Sequence, residues 1–355
     1  MPNSIWTGAY GRLKALSTNF LSKEQLTSLI RLRDSKEIAE SLESTWYRSD
    51  IEAAASVYGP PELVEVALNR HLVAVNNLAV TVSPPYGKAP VLAYLAKWDI
   101  YNIELILAAK SVGRTVEQTE PYLVSSRNIP VGLAGGTVSL GELKTLLNQP
   151  DVESVMNYLV KYGYGASLLQ HLPEYQTSRD LGVLSAVLQN HYYSKLLWEL
   201  RFLRGDEGVL REYIKAEITK KNLLTLLKAR ESNLSREVVS KHLIEGGLIG
   251  IQSLMEAYSA PTLSELVQKF EPWFNLNEAV ERYQKNRNLS EIEVAMDRVI
   301  VQRNMRSMKN NSLSVSSVLA FVLQAEYERE NIRRIVYGRH YGLSEEDINP
   351  LLLFW

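Results

Sequence analysis

The sequence has no cysteine, no long apolar run and almost no net charge, and each absence excludes a class of protein. Without cysteine, none of its 355 residues can form a disulfide, a thiol nucleophile or a thiolate metal ligand. No stretch approaches the roughly 20 apolar residues of a membrane-spanning helix, and Met1 to Arg12 lack the pattern of a signal peptide. The 39 basic residues nearly balance the 40 acidic ones, so no broad positive field predicts nucleic-acid binding. We expect a folded protein of the cytoplasm.

Polar residues recur three times along the chain and indicate an internal repeat. Each copy has an asparagine followed by isoleucine or leucine, with a base eight residues after the asparagine. The pairs are Asn102 with Lys110, Asn222 with Arg230, and Asn331 with Arg339, at offsets of 120 and 109 for the asparagines. Five residues after each base stands a hydroxyl residue that is typical of a helix N-cap, at Thr115, Ser235 and Ser344. We interpret these as three copies of one helical unit.

Apolar positions support the same repeat and predict its helices. One long helix per copy carries three apolar residues spaced by four: Val64, Leu68 and Leu72; Leu184, Leu188 and Tyr192; Ile292, Met296 and Ile300. A short helix pair precedes it, with matching positions at Leu26, Leu29, Ile38 and Leu42; Leu143, Leu146, Val155 and Leu159; Ile251, Leu254, Leu263 and Val267. The sequence therefore predicts an all-α fold of three tandem repeats, at 1–128, 129–245 and 246–355.

Proline and glycine predict where the helices break. The segment 125–136, with Pro130 and three glycines, predicts a linker, and a second boundary is expected near 245–247. Pro84, Pro85 and Pro90 indicate an internal loop. Three equivalent units could stack as an open solenoid or close around a pseudo-threefold axis, and the sequence leaves both open.

The motifs of catalysis and cofactor binding are not present. The sequence has no GxSxG, no P-loop and no GxGxxG. His71 and His191 are equivalent, but the third copy has Val299 there, so we interpret both as packing or surface residues and predict no metal or cofactor site. The acidic residues of segment 326–339 alternate with bases, a pattern typical of a solvated helix face. We expect no enzymatic activity.

The repeated asparagines are the main candidate sites, because asparagine is a mediocre residue inside a helix. They could bond a neighbouring helix or its backbone within each unit, which we favour, or contact an outside partner. Three residues before each asparagine stand Asp99, Thr219 and Glu328, so two copies carry a carboxylate one turn away and the second is expected to lack a complete network. The bases Lys110, Arg230 and Arg339 could simply favour helix C-termini.

The sequence resembles the C subunit of archaeal and bacterial A/V-type ATPases, the counterpart of the d subunit in the eukaryotic complex. The resemblance extends over essentially the whole chain. It rests on Tyr10 to Lys14, on Leu42 with Thr45 to Tyr47, on Trp98 to Ile103 with Lys110, on Glu326 to Arg339, and on Leu343 to Asp347.

The resemblance implies three helical units around a pseudo-threefold axis, forming a funnel. It also implies a non-catalytic adaptor that seats the central shaft, made of D- and F-type subunits, on the proteolipid rotor ring. Such an adaptor transmits torque between proton or sodium transport and ATP synthesis or hydrolysis. It is one copy in a larger complex, peripheral on the cytoplasmic face of the membrane, without a small-molecule substrate. The alternative is an extended helical-repeat scaffold of another cytoplasmic complex, and the two differ in whether the first and third repeats touch.

Overall fold

The computed structural model describes residues 5–124, 138–202, 207–311 and 313–354, and within these ranges the regular structure is helical, without a strand. The all-α prediction is confirmed. The predicted linker at 125–136 lies outside the described residues. No helix in the described ranges is long and apolar enough to cross a membrane.

The helices within the first predicted repeat are α1 (Thr7–Leu16), α2 (Lys23–Ile30), α3 (Ser35–Leu42), α4 (Arg48–Ala55), α5 (Glu62–Val82), α6 (Pro85–Leu95), α7 (Lys97–Ser111) and α8 (Val116–Thr119). Those within the second are α9 (Leu140–Leu147), α10 (Val152–Tyr158), α11 (Gly165–Leu169), α12 (Leu172–Ser178), α13 (Leu181–Glu199), α14 (Glu207–Glu231) and α15 (Arg236–Lys241). Those within the third are α16 (Ile251–Tyr258), α17 (Leu263–Gln268), α18 (Asn277–Asn286), α19 (Ser290–Ile300), α20 (Arg306–Asn310), α21 (Val315–His340) and α22 (Glu345–Ile348). Short 3-10 turns add Ser17–Asn19, Glu120–Tyr122, Leu159–Tyr162, Leu200–Phe202 and Asn349–Leu351.

Local chemistry explains why corresponding helices start and stop where they do. Thr115, Ser235 and Ser344 cap α8, α15 and α22 by accepting a backbone N–H of the first turn, so all three predicted N-caps are confirmed. The long helices α7, α14 and α21 are each followed by a residue in the left-handed region: Gly113, Asn233 and Gly342. The predicted apolar trios lie on α5, α13 and α19, and every member is buried.

The caps correct the register of the third copy. Ser22 and Ser139 cap α2 and α9 with capping boxes, and Gly250 precedes α16. Gly250 stands 111 residues after Ser139, not the predicted 108. The predicted Ile251 and Leu263 are half-buried, whereas Leu254 and Leu266, three residues later, are fully buried. Apolar residues recur every three or four positions in any amphipathic helix, so they fixed this register poorly.

Helix α6 and the segment between α19 and α20 depart from the predicted loop and from regular α-helix, respectively. The predicted proline loop is wrong beyond Pro84, because Pro85 opens α6 at a position that tolerates proline and Pro90 lies inside it. Pro90 has no backbone N–H, so it cannot donate a hydrogen bond to the carbonyl oxygen of Tyr86 four residues earlier. Between α19 and α20 the helix widens into a π turn at Val301–Met305, which accommodates one extra residue. The repeat offset rises from 108 to 109 within the interval that contains this turn.

Contacts group the chain into two compact units. The first comprises Met1–Leu169 with Asn311–Leu352, and the second Gln170–Asn310 with Leu353–Trp355. In the first unit, α21 packs against α5 and also against α1, α2, α3 and α6. In the second, α14 packs against α13, α15, α16, α19, α20 and the π turn. These units combine segments of different repeats, and the boundaries at 128 and 245 stay a prediction.

Candidate functional site

The repeated asparagines in the first two copies make the same contact. Asn102 on α7 donates from Nδ2 to the carbonyl oxygen of Val124 at 3.2 Å and accepts the Val124 N–H at 2.9 Å. Asn222 on α14 makes the same pair of bonds to Ile244, both at 2.8 Å and also 22 residues away. Both amides are buried, as is Asn331 on α21. Each amide thus provides hydrogen-bond partners for the N–H and C=O of a buried residue that lies outside any helix.

The residue three positions before each asparagine is also buried. The Glu328 carboxylate accepts the backbone N–H of Leu21 and, at 2.8 Å, the hydroxyl of Tyr47. In the second copy, the Thr219 hydroxyl accepts the backbone N–H of Leu248 at 2.8 Å. The hydroxyl therefore supplies the acceptor that the sequence expected to be missing there. Asp99 is fully buried on α7.

These acceptors hold equivalent segments of the chain. Leu21 lies immediately before the N-cap of α2, and Leu248 lies two residues before the N-cap of α16. In each case, a long helix of one predicted repeat, α14 or α21, binds the segment that leads into the short helix pair of another repeat. Thr219 of the second repeat holds the third, and Glu328 of the third repeat holds the first.

Two of the three bases, Arg230 and Arg339, bind the same helix pairs from the other end of the long helices. Arg230 donates to the carbonyl oxygens of Ala260 at 3.0 Å, Pro261 at 2.6 Å and Thr262 at 3.3 Å, between α16 and α17. Arg339 donates from Nε to the carbonyl of Leu32 at 2.8 Å, between α2 and α3. Lys110 lies half-buried in the last turn of α7, which packs against α9 and α10.

We call each acceptor and base pair on one long helix a latch. Thr219 with Arg230 is the latch of the second repeat, and Glu328 with Arg339 is the latch of the third. Each grips a short helix pair at its entry and at its central loop by hydrogen bonds to backbone groups. Because the contacts go to backbone, they depend on the position of the helices and little on the side chains of the gripped pair.

In the latch of the third repeat, burial has the largest effect on the pKa of Glu328. It raises the pKa of Glu328 to about 7, although the bonds from Tyr47 and Leu21 act in the opposite direction. Burial, together with the Glu328 charge, also raises the pKa of the Tyr47 hydroxyl well above its usual range, so that the hydroxyl remains a donor. The carboxyl group of Glu328 therefore changes between its protonated and ionised forms near neutral pH.

A buried ionic cluster that sequence reasoning missed lies beside this latch. Arg329 donates to Asn69 Oδ1 at 2.6 and 2.9 Å and to Glu65 Oε1 at 3.1 Å. Arg333 donates to Glu65 Oε2 at 2.6 Å. The Glu65 side chain is fully buried and that of Arg329 is 5% exposed. The interpretation of segment 326–339 as a solvated face is wrong for these residues, because α21 is surrounded by helices.

The two histidines at equivalent positions differ in their surroundings. His71 is buried and its Nδ1 lies 3.1 Å from an Asp50 oxygen, while His191 is exposed. Across the described residues no group of three or more acidic or histidine side chains is placed to hold a metal ion. The fold and its recurrent contacts define an all-α protein in which Asn102, Thr219, Asn222, Arg230, Glu328 and Arg339 join the chain's own segments.

Comparison with known proteins assigns the family. The family model described as ATP synthase (C/AC39) subunit matches residues 9–351. The chain is 34% identical to the C subunit of the A-type ATP synthase of Thermoplasma volcanium, over 99% of each chain, and 33% identical to that of Thermoplasma acidophilum, also over 99% of each. It is 26% identical to the corresponding C subunit of Methanocaldococcus jannaschii, over 96% of this chain and 84% of that protein. The chain belongs to the ATP synthase C/AC39 family and is thus one of the subunits of a rotary A/V-type ATPase complex.

Proposed function

We propose that the chain is the adaptor that seats the rotating central shaft on the proteolipid ring and transmits torque between them. Its partners would be the ring and the D- and F-type shaft subunits, and it would lie on the cytoplasmic side of the membrane. Catalysis and ion transport would belong to other subunits. Family membership supports an assembly role, and the recurrent polar residues contact the chain's own backbone.

The observation that carries the proposal is the direction of the latches. A torque-transmitting part must resist shear between its segments, and latches that reach from one repeat to the next provide this resistance. The latch of the third repeat, Glu328 with Arg339, reaches from α21 to the segments beside α2 and α3 of the first repeat. We propose on this ground that the three repeats are connected cyclically, as in a pseudo-threefold funnel. An open scaffold, the alternative, would leave the first and third repeats apart.

Native mass spectrometry of the purified chain, mixed with detergent-solubilised ring and with shaft subunits of the same organism, tests the proposal. We expect one copy of the chain to bridge one ring and one shaft. The functional counterpart is a complex reconstituted in vesicles with and without the chain. Without it, ATP hydrolysis by the head should continue while ATP-driven ion uptake is lost. A chain that binds neither partner, or uptake that persists without it, would refute the adaptor.

A further inference from the structure

The ionic cluster of Glu65, Asn69, Arg329 and Arg333 has a simpler counterpart elsewhere in the chain. In the second unit, Lys220 on α14 lies 2.6 Å from Asp297 on α19, and both side chains are mostly buried. Lys220 stands 109 residues before Arg329, which is the offset that separates Asn222 from Asn331. Asp297 stands 228 residues after Asn69, the offset that separates Val64 from Ile292. The two contacts are therefore copies of one joint between long helices.

The two copies differ in their charged groups. The joint between α14 and α19 has one lysine, whose ammonium group also approaches Glu217 at 3.4 Å. The joint between α21 and α5 has two arginines on one fully buried carboxylate, and Arg333 has Leu224 as its counterpart. Burial lowers the pKa of Arg333, but the charges of Glu65 and Glu330 outweigh burial and the pKa is raised. Arginine holds carboxylates with planar, directional bonds that lysine cannot make.

Covalent connection explains the difference. Neighbouring repeats along the sequence are joined by the peptide chain. A noncovalent joint between them therefore only has to fix the angle between their long helices. The first and third repeats have no such link, because Glu65 and Arg329 are 264 residues apart. Any force that passes directly between these two repeats, and not through the second, must therefore pass through noncovalent contacts. A buried carboxylate with two arginines also strongly disfavours separation, because either side would leave an uncompensated charge.

We propose that Glu65, Asn69, Arg329 and Arg333 form a closure clasp, which holds the third repeat against the first in place of a covalent link. These residues are positioning residues, since they act by fixing α21 against α5. The consequence for torque rests on the adaptor function proposed above, whereas the clasp itself is a property of the isolated chain.

The absence of cysteine makes the clasp measurable by spin labelling of the otherwise native chain. One label pair spans the first and third predicted repeats, with cysteines introduced at the exposed Lys36 on α3, which packs against both α5 and α21, and at the exposed Tyr341 after α21. A second pair reports on α14 and α16, at the exposed Ser232 and Glu256. Electron–electron double resonance gives the distribution of distances for each pair.

The clasp variants are Glu65→Gln and Arg333→Met, and the matched control is Asp297→Asn in the simpler joint. We expect both clasp variants to broaden the distribution of the 36–341 pair and to leave the 232–256 pair narrow. Asp297→Asn should leave the 36–341 pair narrow. If Glu65→Gln prevents folding, Arg333→Met decides, because Arg329 keeps its carboxylate there. A 36–341 distribution that stays narrow in the clasp variants, or broadens equally in the control, would overturn the clasp. Neither result depends on binding to the ring or shaft.

Discussion

Glu328 accepts a hydrogen bond from the hydroxyl of Tyr47 at 2.8 Å, although 281 residues separate the two. Both side chains are buried, and the bond joins the third predicted repeat to the first. The pKa of Glu328 is raised to about 7 by burial. This contact therefore links the packing of the two repeats to protonation of one carboxyl group.

Stability should depend on pH through Glu328. Its pKa rises from a usual value of 4.5 to about 7 on folding, so between these values the folded chain binds more protons than the unfolded chain. The free energy of unfolding should then fall as the pH rises through this window, by up to about 3 kcal/mol from this group. Urea unfolding from pH 4.5 to 8 measures it, and Glu328→Gln should remove this contribution. An unchanged pH dependence in that variant would contradict the assignment.

Replacing Asn102 or Asn222 with leucine should destabilise the fold by a similar amount in each case. Each substitution leaves one buried N–H and one buried C=O without a partner, which costs about 2–4 kcal/mol. The melting temperature should fall, while ring binding by the folded fraction is unchanged. Asn148→Leu, at an exposed position of the second repeat, is the control. Loss of ring binding without loss of stability would instead assign the amides to a partner contact.

Asn76→Leu should stabilise the chain. Asn76 is fully buried on α5, and neither atom of its amide has a hydrogen-bond partner among the described residues. The second repeat has the buried Leu196 at the equivalent offset of 120. Removing the desolvated amide should raise the free energy of unfolding by about 1–3 kcal/mol. Asn69→Leu, on the same helix, should destabilise, because that amide bonds Arg329. Urea unfolding of the two variants gives the comparison, and destabilisation by Asn76→Leu would refute the prediction.

Arg230→Lys should loosen the turn between α16 and α17 although the charge is kept. The guanidinium reaches three carbonyl oxygens, and an ammonium group cannot match that geometry. Hydrogen exchange at 259–263 should become faster, and the loss should be about 1–2 kcal/mol. Lys228→Arg, in the same helical turn but exposed, is the control. Exchange at wild-type rates in Arg230→Lys would show that charge alone suffices.

The sequence predicted the residues that are special within a repeat better than those that join distant helices. Asparagine inside a helix and hydroxyl residues before one are conspicuous, so Asn102, Asn222 and the caps at Thr115, Ser235 and Ser344 could be found by spacing alone. The partners of Arg329 could not, because Glu65 and Asn69 lie more than 250 residues away. Bases and acids alternating along a helix look the same whether water or another helix surrounds them. The predicted alignment of the short helix pair in the third copy was wrong for a related reason, since aliphatic residues at helical spacing fit several alignments.

The packing of α21 against α5 also constrains how the chain is synthesised and folded. A ribosome adds about 5–20 residues per second, so tens of seconds of synthesis separate the emergence of Glu65 from that of Arg329. During this time the nascent first repeat lacks both the arginines that pair with Glu65 and the apolar side chains that α21 packs against α5. Contacts between residues this far apart in the sequence, such as Glu65 and Arg329, slow folding. Nascent chains of this protein should therefore depend on chaperones until α21 has left the exit tunnel.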